Sequence, residues 1–268
     1  MKLTSRLRMR YALKSSRCRL TQVRGRPTAN RTVAAVSPYT FSSRAIAARV
    51  RLAVGLPLTW VNQQREDFKA YLLRSREVSF TFRGKAYQAE IAGADVFPQG
   101  FAAVANQIRD FQGVNMLCDI GNGTMNIMFI NDRKPAADRM FTEKYGTHQC
   151  MLAVRENVMR THHATVDDSI INRVLRFGTA DIQKDYLTTI RETAAEYVSE
   201  IFRILREHEY NPALMRLHVL GGGSCLIRNF GEYDADRVTI YDDICATAKG
   251  YEYLCEMALR KGGTAHAT

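Results

Sequence analysis

From residue 45 onward, apolar positions recur with two periods, and the switches between them lay out an alternating order of strands and helices. Val50 to Leu56 is a continuous apolar run ending in Gly-Leu-Pro, and Pro57 stops the ladder because it has no N–H to donate. Asn62 to Leu73 places Phe68, Leu72 and Leu73 among charges, the pattern of a surface helix. Glu77 to Phe82 and Lys85 to Ile91 alternate about Arg83-Gly84 and predict a hairpin. That helix and hairpin are expected outside the first sheet, as a small accessory subdomain. Ala94 to Phe97 reads as a short strand, closed by Pro98, Gln99 and Gly100 before a helix over Phe101 to Phe111.

The second half of the chain is patterned more strongly. Arg139 to Lys144 reads as a strand, Gly146 to His162 as a helix with Cys150, Val154 and Val158 on one face, and Asp167 to Phe177 as a short helix. Asp181 to Glu209 is a long helix whose stripe of Ile190, Ala194, Tyr197, Ile201 and Leu205 marks a core face. Glu192 and Glu196 fall on its polar side, where a carboxylate could reach a ribose; a solvated face explains them better, and they stay outside the candidate site. Val238 to Tyr241 is a last strand. Asp243 to Lys261 is a helix whose Ala246, Ala248 and Gly250 allow another helix to approach closely, ended by Lys261-Gly262-Gly263.

Two places carry candidate chemistry. Val114 to Cys118 delivers Asp119 to a tight turn of Gly121, Asn122 and Gly123, and a second strand-like run leaves from Thr124 towards Ile130. Asn-Gly between β-prone runs signals a hairpin, and glycines let backbone N–H groups approach an anion. A carboxylate cannot hold a phosphate, so beside such a loop Asp119 suits a hydrated Mg²⁺; the plainer reading is an Asp that merely starts a turn. About a hundred residues on, the strand Arg216 to Leu220 runs into Gly221, Gly222, Gly223 and Ser224 before a helical pattern resumes. A strand ending in three glycines at a helix start is a place for a nucleotide.

Composition sets the limits. At 268 residues and 46% apolar content the chain can bury a core of two modest domains. The net charge of +11 is concentrated: 12 of the 38 Lys and Arg precede residue 50, no acid occurs before Glu66, and the remaining 26 cations face 27 anions. The six cysteines show no metal-ligand spacing and sit mostly in apolar runs, as free thiols of a reducing cytoplasm do. His162 and His163 are neighbours and cannot chelate one ion from a helix. Neither a secretory signal nor an apolar run long enough to span a membrane is present.

The strings GLPLTW (55–60), VFPQGFAAV (96–104), CDIGNGTMNI (118–127) and VLGGGS (219–224), in that order, resemble the plasmid-segregation actins of the ParM/StbA type, within the actin-like ATPase superfamily. The resemblance covers residues 45 to 262. It implies an α/β, actin-like (ribonuclease H-like) two-domain fold, with residues 45–110 as the remainder of the first domain, 111–235 as the second, and 236–268 as a crossing helix returning to the first. It implies ATP and Mg²⁺ between the domains, with Asp119 holding a metal-bound water. Gly121, Asn122, Gly123 and Thr124 would take the phosphates, and Gly221, Gly222, Gly223 and Ser224 the adenosine side. Gln99, at the first crossing, would orient the attacking water, and the crossing helices near Gly100 and Gly250 would form a hinge. Such proteins polymerise into nucleotide-dependent filaments, so the implied partners are further copies of the chain and a DNA-bound adaptor, in the cytoplasm, with no membrane. The alternative from another class is a non-catalytic remnant or DNA-binding module acting through the basic N-terminal tail.

Residues 1 to 44 stand apart. The family opens with antiparallel strands and an Asp-containing phosphate loop, and no acid exists here to play that part. A disordered basic arm, a transit-like segment, or a non-native stretch from a displaced start or shifted frame are the three readings, the last favoured. The expectation is a first sheet lacking its initial strands, impaired nucleotide turnover, and only weak, salt-sensitive contact with nucleic acid by the tail.

Overall fold

The computed structural model describes residues 9–11, 20–23, 33–36, 47–56, 60–82, 84–243 and 245–264. The chain divides into two units: residues 1–106 with 245–268, and residues 107–244.

The first unit is built on a six-stranded sheet, ordered β1-β2-β3-β4-β6-β5. Its strands are β1 (Met9–Tyr11), β2 (Leu20–Val23), β3 (Val33–Val36), β4 (Ala47–Leu56), β5 (Glu77–Phe82) and β6 (Lys85–Pro98). The expectation of a sheet without its initial strands is corrected here. β1 pairs antiparallel with β2, β2 with β3, and β3 with β4 in the register Val33↔Val54 to Val36↔Arg51. Runs of three or four residues in an Arg-rich background carry almost no local strand signal and gain their bonds only from the neighbouring strand. The other positions of the stretch read as a tail lie outside the described residues.

A second correction concerns the hairpin assigned to an accessory subdomain. Lys85 to Ile91 and Ala94 to Phe97 are one strand, β6, whose residues from Gln88 to Pro98 run parallel to β4, with an irregularity at Val50/Arg51 where the register slips by one. Ala92-Gly93 between the two runs stays extended within β6, the register slip opposite it being absorbed without a turn, so β5 and β6 join the main sheet. Alternation along β4 then divides the unit's core. Val54 and Leu56 pack with Val61 and Phe68 of α1 (Val61–Leu72) and with Val96, whereas Ala53 packs with Ala102, Ala248, Tyr251 and Cys255. Ala102 belongs to a 3₁₀ helix over Phe101–Asp110, and Ala248, Tyr251 and Cys255 to α6 (Ala246–Thr264), which runs past the Lys261-Gly262-Gly263 expected to end it.

The close approach foreseen for Gly250 is present: any Cβ there would collide with the carbonyl of Ala102. Across the β4–β6 pair, Arg51 donates to Asp95 through Nε (2.6 Å) and a terminal nitrogen (3.1 Å). This pairing holds the Asp95 carboxyl below its usual range against the desolvation that opposes it.

The second unit holds a five-stranded mixed sheet, ordered β11-β10-β7-β8-β9. These are β7 (Val114–Ile120), β8 (Met125–Asn131), β9 (Lys134–Glu143), β10 (Arg216–Leu220) and β11 (Val238–Ile240). Four helices, α2 (Thr147–His162), α3 (Asp168–Phe177), α4 (Lys184–Glu207) and α5 (Ser224–Phe230), supply its core with the sheet face bearing Met116, Cys118 and Ile120. The α4 stripe read from the sequence is there: Ile190, Ala194, Ile201 and Leu205 are fully buried. The opposite face of β7 carries Asn115, Leu117 and Asp119, and the site grows from it.

Candidate functional site

β7 and β8 form the expected antiparallel hairpin, closing at Ile120↔Met125, with Gly121 N donating to Thr124 O at 2.8 Å. β7 also runs parallel to β10, in register Leu220↔Asp119. Both glycine-bearing loops therefore leave the same end of the sheet, side by side. Gly223 N donates to Ile120 O at 2.9 Å and ties the second loop to the first. Gly221 has a φ of +86°, and a Cβ on it would run into Asp119 Oδ1. Only glycine lets that loop lie against the carboxylate.

The structure thus brings together Asp119, Gly121, Asn122, Gly123, Thr124, Gly221, Gly222, Gly223 and Ser224 within the second unit. Gln99 belongs to the first, at the end of β6, where it is buried and its N–H donates to Leu56 O at 2.9 Å.

The hairpin tip does more than turn the chain. Its carbonyls cap α2: Thr147 N donates to Gly121 O (3.0 Å), His148 N to Asn122 O (2.8 Å), and the Gln149 amide to Gly123 O (3.2 Å). Tyr197 braces the junction by donating its hydroxyl to Gly146 O at 2.9 Å. With the carbonyls turned to the helix, the N–H groups of Asn122, Gly123 and Thr124 make no backbone hydrogen bond among the described residues. Gly123 and Gly222 border open space. Ser224 is turned inward: its hydroxyl donates to Tyr241 O at 3.3 Å, closing β11 against the loop.

Burial without a cation pushes the Asp119 carboxyl up to about 6, desolvation being the cause. No Lys or Arg pairs with it among the described residues. A half-buried carboxylate that lacks a counter-charge, beside free N–H groups and side-chain-free glycines, is chemically suited to a hydrated divalent cation carrying a polyanion. No group of three or more His, Cys, Asp or Glu that could ligate a metal directly occurs among the described residues, so such a cation would be held through its waters.

Two residues of this surface escaped the reading of the sequence. Asn126 lies directly across from Asp119 on β8, and Thr142 directly across from Asn126 on β9. Asn126 is 7% exposed, and Thr142 Oγ1 donates to its Oδ1 at 2.9 Å. Period-two alternation places Thr124 and Asn126 on one face of the hairpin; the pairing with Asp119 needs the register as well. His162 and His163 take no part: His162 bonds Thr189 Oγ1 at 2.9 Å, and His163 ends α2 in the left-handed region.

Residues 28–101 match the family described as actin-like proteins, N-terminal domain. The match begins inside the stretch read as a tail and includes β3. No curated protein matches the sequence. Among solved structures, the archaeal actin homologue Ta0583 is similar with a TM-score of 0.63 and 22% identity, covering 80% of this chain and 71% of that one. The psk41 ParM protein follows at TM-score 0.57 and 17% identity, over 77% of this chain and 63% of that one. The actin-like protein Alp7A is similar at TM-score 0.58 and 14% identity, covering 80% and 69%. The chain has the actin-like fold.

Proposed function

We propose that this chain, actin-like in fold and matching the actin-like N-terminal domain family over residues 28–101, is an ATP- and Mg²⁺-binding protein of the plasmid or mobile-element segregation type. It would assemble with copies of itself in the cytoplasm and reach DNA through an adaptor. The observation that carries the reading is the Asp119 carboxyl, with no cation paired to it among the described residues and set between two adjacent loops whose glycines leave it open. No helix among the described residues is long and apolar enough to cross a membrane.

Bound Mg²⁺–ATP would supply the charge-neutralised phosphates and the leaving group. Asp119 would hold a metal-bound water, the N–H groups of Asn122, Gly123 and Thr124 would take phosphate oxygens, and Gly221 and Gly222 would let the nucleotide's remaining body lie against the backbone. Gln99 would serve to align an attacking water, as the resemblance implies; an amide is a poor base but an adequate positioner, and positioning dominates phosphoryl transfer.

Because β1, β2, β3 and β4 carry no acid, the second carboxylate that the resemblance implies has no counterpart on those strands. Turnover should be slow and filament assembly poor, since each missing charge-assisted contact is worth about 1.5–3 kcal/mol. Titration of the 268-residue chain with a non-hydrolysable ATP analogue and Mg²⁺ tests the proposal. Weak, Mg²⁺-dependent binding that Asp119→Ala abolishes is expected. No binding, or binding indifferent to Asp119, refutes it, as does rapid ATP turnover that persists in Asp119→Ala.

A further inference from the structure

In the first unit the outer edge of β6 is covered along only part of its length. β5 pairs with it from Lys85 to Glu90, and the last bond on that side runs from Ile91 N to Arg76 O at 2.6 Å. From Gly93 to Pro98 the strand has β4 alone beside it among the described residues. In a parallel ladder alternate residues direct N–H and C=O to the same neighbour, so the residues between them direct theirs to the other side. On that other side no backbone hydrogen bond reaches Ala92 to Phe97 among the described residues.

A recess of about 260 Å³ opens along this edge. It touches Ala94, Asp95, Val96 and Phe97 in succession, and successive side chains of a strand point to opposite faces, so the recess meets the strand edge-on. Its walls agree. One is α1, through Arg65, Glu66 and Lys69, and the other is α6, through Ala258; the two helices pack on opposite faces of the sheet. A slot between two helix layers, with unpaired strand backbone along its floor, admits an extended chain. The edge of a second folded sheet would bring its own layers and collide with α1 and α6, which argues against two copies pairing edge to edge.

Charge narrows the occupant. Asp95 offers no free charge, because Arg51 bonds both its oxygens and the Cys255 thiol donates to Oδ2 at 3.3 Å. Arg65, Glu66 and Lys69 form no ion pair among the described residues, so the α1 wall carries an excess of one cation. Residues 1 to 46 of the chain contain no acid, and their cations would meet that wall with like charge.

We propose that the slot beside Ala94 to Phe97 is a docking site for an extended acidic segment of a partner protein, which adds to the sheet as a further strand. Its carboxylates would face Arg65 and Lys69, and its small apolar residues Ala258. Alternation makes that fit possible, because a strand presents its odd and even side chains to opposite walls. The proposal is independent of the nucleotide reading, since neither glycine loop takes part.

The test uses the full chain and an end-blocked octapeptide of alternating Glu and Val, with a Lys and Val octapeptide as its counterpart. Binding is read by calorimetry and by hydrogen exchange. The Glu peptide should bind more tightly than the Lys peptide and, at saturation, slow exchange within Gly93 to Phe97 about 10-fold or more. Lys69→Glu should weaken the Glu peptide about fivefold or more and favour the Lys peptide. Ala258→Trp fills the slot from an exposed position and should abolish binding, with thermal melts showing that both variants are folded. N-methylation of every second residue blocks the N–H groups on one edge of the peptide, so of the two possible methylated forms one should fail and the other bind. Loss of both, or of neither, refutes strand addition, and this comparison decides alone if a variant does not fold. A preference for the Lys peptide would assign the slot to a basic strand such as the chain's own N-terminal stretch. A dimer in sedimentation that Ala258→Trp dissolves would assign it to a second copy. Either result overturns the proposal, as does the absence of binding to wild type.

Discussion

Acidification should destabilise the second unit through one residue, His218. It lies buried on β10, 7% exposed, with its ring stacked on Phe111 at a centroid distance of 4.1 Å. Its Nε2 lies 3.2 Å from Asn115 Oδ1 on β7, and its Nδ1 lies 3.2 Å from the Tyr241 hydroxyl beyond β11. The Asn115 amide in turn donates to the carbonyls of Gln112 (3.1 Å) and Gly113 (3.3 Å), which fixes its oxygen towards the ring. The network suits one tautomer: Nε2–H donates to Asn115, and Nδ1 accepts from Tyr241. A second proton on Nδ1 would turn Tyr241 from donor to acceptor. Burial, with Arg216 on the same strand adding repulsion, pushes the imidazole down to about 4. Among the described residues the acidic group acting on this network is Asp110, through Tyr241. In the unfolded chain the ring titrates near 6.5, so below that pH the unfolded state takes up a proton that the native state refuses. Stability is therefore full above about pH 6.5 and is lost as pH falls towards about 4, at up to 1.36 kcal/mol per pH unit. Between pH 7 and 4.5 this amounts to about 2 kcal/mol. The assay is urea unfolding of wild type and His218→Gln across that range, where glutamine retains a donor and an acceptor without titrating. The wild type should lose about 2 kcal/mol more than the variant. Parallel pH dependence in the two proteins would show that the ring is protonated in the folded state, and the reasoning would fail.

Gly221→Ala should cost about 2 kcal/mol or more in denaturant unfolding, from positive-φ strain and collision with Asp119, and should also abolish Mg²⁺-nucleotide binding; binding at wild-type strength would contradict the placement of that loop. Gly250→Val should destabilise the first unit by several kcal/mol, since backbone carbonyl and side chain cannot share the space against Ala102, and a thermal melt unchanged from wild type would refute the contact. Tyr197→Phe removes the hydroxyl that holds Gly146 O and should cost about 1 kcal/mol, read by the same unfolding assay, with hydrogen exchange rising at the start of α2. Protection unchanged at Thr147 and His148 would count against the bracing role.

Much of the second unit was legible in the chain itself, because its signals are local. Arg216 to Leu220 is a strand with the boundaries read from its apolar run, as Glu77 to Phe82 in the first unit is with those read from alternation, and the α4 stripe is buried where a period of three to four residues puts it. The turn after Asp119 and the triple glycine after Leu220 announced themselves by residue type, since few other needs call for that chemistry. What only the tertiary structure decided depends on pairing between distant residues. Met9–Tyr11, Leu20–Val23 and Val33–Val36 are too short to declare themselves in a basic background, and they become strands because β4 offers a ladder to Val33–Val36. Lys85 to Pro98 reads as two pieces until β4 is laid beside it. The neighbourhood of Asp119 follows the same rule. Its glycines were visible, but Gly221 meets it through the β10 register and Asn126 and Thr142 through those of β8 and β9, and a slip of one residue in any of them would turn those side chains to the other face.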